Sequence, residues 1–543
     1  MAKLIACLLL ALLLSAVPGT VLARQEHQHG GSEKLGTVKF ATSCAPAAAP
    51  AFNRAMALLH SFEFLPAIEG FTAVSTTDSG CAIAYWGMAV SRWGNPFAAG
   101  LKTPAQLEAG RAAIEKAKAI GARTERERDY IAAAGRLYAD FEKVDQPTRL
   151  RSYREAMAGV AAKYPDDPEA SAFYAVALIA ANDPTDRTYA SLLKAGAILE
   201  RLAPAQPDHP GFVHYIIHAY DVPPLAPKAV EAARLYSKIA PSAPHALHMP
   251  SHTFTRLGYW QDSIDTNIAS ASAAKREKAP AEELHAMDYQ AYAYLQLAQD
   301  RAALGLVDAL PEIQARFDPD KMGSAAPGSA GVFALAAIPA RYALERQAWG
   351  EAAALEVSPS KFAHADAITW FARGLGAARS GNTAAAREAI DALQKLEAAL
   401  AKAGETYWTE QVAIQRLGVT AWTALADGRT EEALTVMREA AGREDRTEKA
   451  AVTPGPLAPA RELLGYMLIA VKRPTDALAA FDITLAKEPN RYRALAGAVE
   501  AARQAGDPNT VKKYLGPMVA LTARADVPGR PEIAALKTGA GKQ

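Results

Sequence analysis

From residue 50 onward, apolar side chains recur three and four positions apart rather than alternating, the spacing that lines one face of an α-helix. Residues 52–64 show this first. Residues 123–140 repeat it as a strongly charged amphipathic stretch, and residues 168–178 (PEASAFYAVAL) as an almost wholly apolar one. No run alternates apolar and polar residues as a half-buried strand would, so the pattern predicts an all-α chain. Two stretches interrupt it: residues 317–331 (FDPDKMGSAAPGSAG), which read as a loop, and residues 452–459, which read as a linker. They divide the helical part into sections at 45–316, 332–451 and 460–523. Residues 24–44 read as a flexible leader and residues 524–543 as a disordered tail.

The helical pattern repeats. Pro210 and Pro244 stand 34 residues apart, as do His214 and His248, His218 and His252, and the pair Ala229-Val230 against Ser263-Ile264. Gly258 and the small Ser263 fall where a turn and a close helix contact would be needed. With these features the chain resembles the tetratricopeptide (TPR) family, secreted bacterial type, whose repeats are antiparallel helix pairs that bury their apolar faces by stacking. The resemblance covers most of residues 45–520. It is strongest over 455–510, where Gly465, Ala477, Phe481 and Pro489 match the family's signature positions. It implies an all-α, TPR-like α-solenoid whose first helices line a concave groove through their second, fifth, ninth, twelfth and thirteenth positions. Counted from Pro210 and Pro244, His214 and His248 are fifth, His218 and His252 ninth, His245 second and Asp221 twelfth. An alignment of Ala303-Leu304 with Ser263-Ile264 puts His285 second, Asp288 fifth and Tyr292 ninth.

Composition then narrows the setting. Residues 1–23 carry Lys3, an apolar run and a Val-Leu-Ala ending, which reads as a signal peptide too short to span a membrane, so the protein is expected in a periplasm or outside the cell. Removing Lys3 with it turns 59 basic residues into 58, against 58 acidic. A neutral chain has no electrostatic footprint for nucleic acid and no basic face for anionic lipid, so neither nucleic-acid binding nor membrane insertion is expected. Cys44 and Cys81 remain after the signal. In an oxidising compartment they most simply form one disulfide, the alternative being two separate buried thiols.

Six of the eleven histidines lie between His209 and His252. Side chains four apart on a helix are about 5–6 Å apart at Cβ, and packed helices roughly 8–10 Å, so two His pairs from adjacent repeats can converge on an ion. The candidate site is His214, His218, His248 and His252, with Asp221, His245, His285 and Asp288 as further ligands or supports. Neutral imidazoles with a carboxylate suit a divalent transition metal, Zn, Cu or Fe. Pro250, inside the second helix, bends the axis between two of them. Tyr215 and Met249 stand where an H-E-x-x-H motif would have its Glu, so no base is built in. His27 and His29 could also take a metal but read as leader. His60 reads as a satisfied structural histidine, with Glu63 beside it. Two functions stay open: an exported scaffold that binds a protein or peptide partner in its groove, and a metal-dependent enzyme or metal-binding protein using the His patch.

Overall fold

The computed structural model describes residues 33–321 and 323–534. They form 25 α-helices and three 3-10 turns, with no strand among the described residues. The expected signal peptide, the His27 and His29 pair and residues 535–543 lie outside them. Successive helices pack as antiparallel neighbours, Trp260–Arg276 on Pro280–Gln296 and Ala460–Ala470 on Pro474–Lys487 among them. Many open on a proline, as Pro168, Pro210, Pro244, Pro280 and Pro508 do. Proline is tolerated there because the first helical N–H has no partner to lose. Asp167 and Asp507 cap two of these helices by accepting from backbone N–H groups of the first turn.

Two large apolar cores and three smaller clusters run along the array. One core gathers Phe40, Phe52, Phe71, Trp86, Tyr130 and Phe173; the other gathers Phe371, Trp422, Leu463 and Phe481. The solenoid curls so that distant repeats touch. Gly258, at φ +68°, ends its helix in the left-handed region, and a Cβ there would stand 2.2 Å from the Pro489 carbonyl oxygen. Beside it the Trp260 indole donates to the Asn490 carbonyl at 2.9 Å. No helix among the described residues is long and apolar enough to cross a membrane.

The breaks in the helical pattern differ from their reading. Residues 33–44 are no flexible leader: Leu35, Val38 and Phe40 are buried, Phe40 lies 5.3 Å from the Phe52 ring, and Cys44 is bonded to Cys81. Three apolar residues in an extended segment are too few to register as a periodic element. In the expected loop 317–331 a helix, Gly328–Glu345, begins at Gly328, and Ala325 and Ala326 before it are buried. The expected linker 452–459 turns inward, where Thr453 and Gly455 accept from the Arg341 guanidinium at 2.8 and 3.0 Å. Within the expected tail, Ile533 is buried and Arg530 pairs with Asp300. Polar, Gly- and Pro-rich composition also suits segments whose backbone is satisfied by buried side chains.

Candidate metal centre

Three consecutive first helices supply the histidines. Pro210–Ala219 carries His214 and His218 one turn apart, and Pro280–Gln296 carries His285. Between them the second repeat is split by Pro250 into Pro244–His248 and Pro250–Leu257, so that His248 closes one short helix and His252 lies in the next.

These side chains sort into two trios, His214 with His218 and His245, and His248 with His252 and His285, each with ligand atoms within 4.8 Å of one another. His214 Nε2 lies 3.1 Å from the Nε2 of both His245 and His218, and His248 Nε2 lies 3.1 Å from His252 Nε2. The histidine at the second position of each repeat completes the pair of the repeat before it. The trios adjoin: the His218 and His252 rings are 5.8 Å apart and those of His245 and His248 6.1 Å, no farther than His218 and His245 within one trio at 6.3 Å.

What stands behind the rings fixes their tautomers. His214 Nδ1 donates to the His60 carbonyl at 2.6 Å, and His252 Nδ1 to Asp221 at 2.9 Å. His248 Nδ1 donates to Asn267 Oδ1 at 2.6 Å; the amide orientation follows from its nitrogen donating to the Ser263 carbonyl. Each of these rings, while neutral, therefore turns the lone pair of Nε2 inward. Burial pushes every one of the six imidazoles down, His214 and His285 to about 3, so all are neutral near pH 7.

Of the two predicted carboxylates, Asp221 takes a supporting place and Asp288 sits elsewhere. Burial alone would raise the Asp221 carboxyl, but the Lys449 ammonium and Arg256 guanidinium outweigh it and hold it well below the usual range. Asp221 thus supports His252 from behind while spanning Arg256 at 2.9 Å and Lys449 at 3.2 Å. Asp288 is neither ligand nor support, because Arg341 from a later helix takes its carboxylate at 2.7 Å. Other contributors carry little or no signal in the sequence. The Tyr289 hydroxyl lies 3.4 Å from His252 Nε2. Its place four residues after His285 on one helix face was a usable signal; Asn267, on a second helix, gave none. His60 is satisfied, as read: its Nε2 donates to Glu169 at 2.9 Å, and its Nδ1 faces the Tyr215 hydroxyl. With His209 on the other carboxylate oxygen at 3.0 Å, these make a third cluster that the sequence did not reveal.

A cavity of about 20 Å³, room for about one water-sized molecule, touches His218 and His245 of one trio and His252 and His285 of the other. Ala325, Ala326, Ala330, Ala451 and Val452 help to close it. It shares Asn95, Ala98, Ala325 and Pro327 with a crevice of about 560 Å³ between residues 92–109 and 319–329.

No protein-family model matches the chain, and no curated protein matches it. Among solved structures, the human IFIT1 dimer with PPP-AAAA aligns over 81% of this chain and 91% of its own at 12% identity and TM-score 0.36. A structure of Naa15/Naa10 bound to HypK-THB aligns over 89% and 90% at 12% identity and TM-score 0.24. Overlaps this loose carry nothing across to the site. The stacked helix pairs themselves decide the architecture. The fold is TPR-like.

Proposed function

We propose that this protein is a metalloprotein, each trio holding one transition-metal ion through imidazole Nε2 atoms and leaving a position open toward the shared cavity. The observation that carries the reading is the pair His248 and His252. Both have their Nδ1–H committed to an acceptor, both are neutral, and their Nε2 lone pairs face each other at 3.1 Å. Two buried acceptors in contact repel and leave each other unsatisfied. Two imidazole nitrogens bound to one ion at about 2.0–2.1 Å stand roughly 3–3.4 Å apart, so a cation turns the same geometry into a favourable one. Zn(II) and copper both suit such ligands, and an open position would activate water or dioxygen.

Binding of a protein or peptide partner, the other activity such a frame supports, would have to use another face. At these repeats the groove is walled by Ala98, Ala325, Ala326 and Val452 of the same chain. The Cys44–Cys81 bond supports export to an oxidising compartment. The test is metal titration of chelator-stripped protein with Zn(II) and with Cu(II). Two tight equivalents are expected, falling to one in His214→Phe/His218→Phe and to one in His248→Phe/His252→Phe. Wild-type protein that takes up no ion, or folded variants that bind as wild type does, would overturn the reading.

A further inference from the structure

Resting on the two-ion reading, we infer that the trios act together as a dinuclear copper centre whose substrate is dioxygen, bound between the ions in the small cavity. Three features of the site argue for this, and the first is the ligand set. All six ligands are imidazoles, and among the described residues no group that could hold a metal ion joins these histidines to a carboxylate. Hard, oxygen-preferring ions and carboxylate-bound iron are therefore poorly served, whereas copper in both of its common oxidation states accepts imidazole.

The second feature is charge. The carboxylate behind the trios, Asp221, already faces the Arg256 guanidinium and the Lys449 ammonium. Its charge is matched before any ion arrives. Two dications bring four positive charges into this buried place, so they need anions such as hydroxide to enter with them, because burial without countercharge is strongly unfavourable. Two Cu(I) ions halve that load. When they are oxidised, an anion bridging them restores the balance, so the centre favours a reaction in which the ions lose electrons to a ligand that becomes the bridge.

The third feature is the shape and polarity of the cavity. It is lined by two histidines from each trio, so one bound molecule faces both ions. At about 20 Å³ it accepts a diatomic molecule and excludes an organic substrate. Apart from Asn95, its remaining walls are five alanines, a valine and a proline, which suit an uncharged, apolar gas better than a hydrated anion. The step is balanced as written. Each Cu(I) gives one electron, dioxygen takes up both and becomes a peroxide dianion, the O–O bond order falls from two to one, two Cu–O contacts form, and no proton moves.

The test starts from chelator-stripped full-length protein loaded under nitrogen with two equivalents of Cu(I), then exposed to dioxygen. Expected are uptake of one dioxygen per two coppers, a new near-ultraviolet absorption, and an electron paramagnetic resonance spectrum without the signal of isolated Cu(II), because the two spins couple through the bridge. His248→Phe/His252→Phe, holding one copper, should show no such uptake and a full isolated-Cu(II) signal after chemical oxidation. Ala330→Val, which narrows the cavity without touching a ligand, should keep both coppers and take up dioxygen roughly tenfold more slowly. Two bound coppers that take up no dioxygen, or that oxidise to two magnetically isolated Cu(II) ions, would overturn the inference and leave the two-ion reading standing. Protein that binds no copper and no zinc would remove both.

Discussion

Two buried polar clusters of this solenoid look alike in depth and differ in logic. Arg491 lies between repeats with each of its nitrogens on an acceptor: Nε to Glu462 at 2.7 Å, Nη2 to Glu345 at 2.9 Å and Nη1 to the Tyr292 hydroxyl at 3.0 Å. At His248 and His252, as buried as Arg491, acceptor meets acceptor. The cluster of His60, Glu169 and His209 shows that residue type does not make the difference. There two imidazole N–H groups flank one carboxylate, so donor meets acceptor at both contacts, and only His209 Nδ1 on the far side of its ring is left without a partner. Burial selects for satisfied partners, so a buried cluster that fails the donor and acceptor count points to something it binds.

The comparison can be broken first at its charge-paired end. Arg491→Leu leaves Glu345 and Glu462 buried and uncompensated, and should lower stability by about 3–5 kcal/mol. Replacing all three by leucine should recover most of that loss, since an apolar cluster of similar volume is often no worse than a buried ion network. Denaturant unfolding of both variants measures this. A triple variant as unstable as the single one would show that the charges specify the packing.

A smaller effect separates the two histidine regions. Glu169→Gln keeps the shape but removes one acceptor between His60 and His209, so stability should fall by about 1–3 kcal/mol while two metal equivalents still bind. Loss of metal with unchanged stability would mean that Glu169 belongs to the ion-binding machinery instead. Because His60 also offers its carbonyl to His214, a modest drop in the affinity of the first trio is compatible with a supporting role.

The parts of this picture that were legible in the sequence are those that repeat. The 34-residue offset put His214, His218, His248 and His252 on one face, and the second-position histidines His245 and His285 joined them. What spacing could not show is which trio each would complete, since that depends on how one repeat leans on the next. Nor could it show that Asp288 is claimed by Arg341, 53 residues later, or that Lys449 reaches Asp221 across 228 residues. Non-repeating segments mislead for a related reason. Residues 33–44 and 452–459 follow no period, because their conformations are set by the helices they cover.

The subtlest test lies where the cavity wall is fastened. Ser324 donates to Glu63 at 2.8 Å and the Ala326 N–H to Glu282, so two buried carboxyls hold the segment that closes the histidine cavity. The other Glu63 oxygen makes no well-formed hydrogen bond, although the His245 backbone N–H lies close enough to favour the charged carboxylate. Here a proton completes it. Burial, then the charges of Glu282 and Glu277, push the Glu63 carboxyl up to about 8, while Glu282 is raised to about 7. Because the folded-state value lies above the unfolded one, the native state holds more protons across this window. The contribution is full below about 4.5 and is lost as pH rises through about 8. Glu63 should therefore add a slope of about 1.4 kcal/mol per pH unit between those values. Glu63→Gln, neutral at every pH, should match the wild type near pH 4.5, exceed it in stability at pH 8, and flatten the curve by that one group's share, leaving the slope due to Glu282. Urea midpoints at half-unit pH steps would show this. Parallel curves for the two proteins would mean that Glu63 is ionised in the fold and that a cation, rather than a proton, completes it.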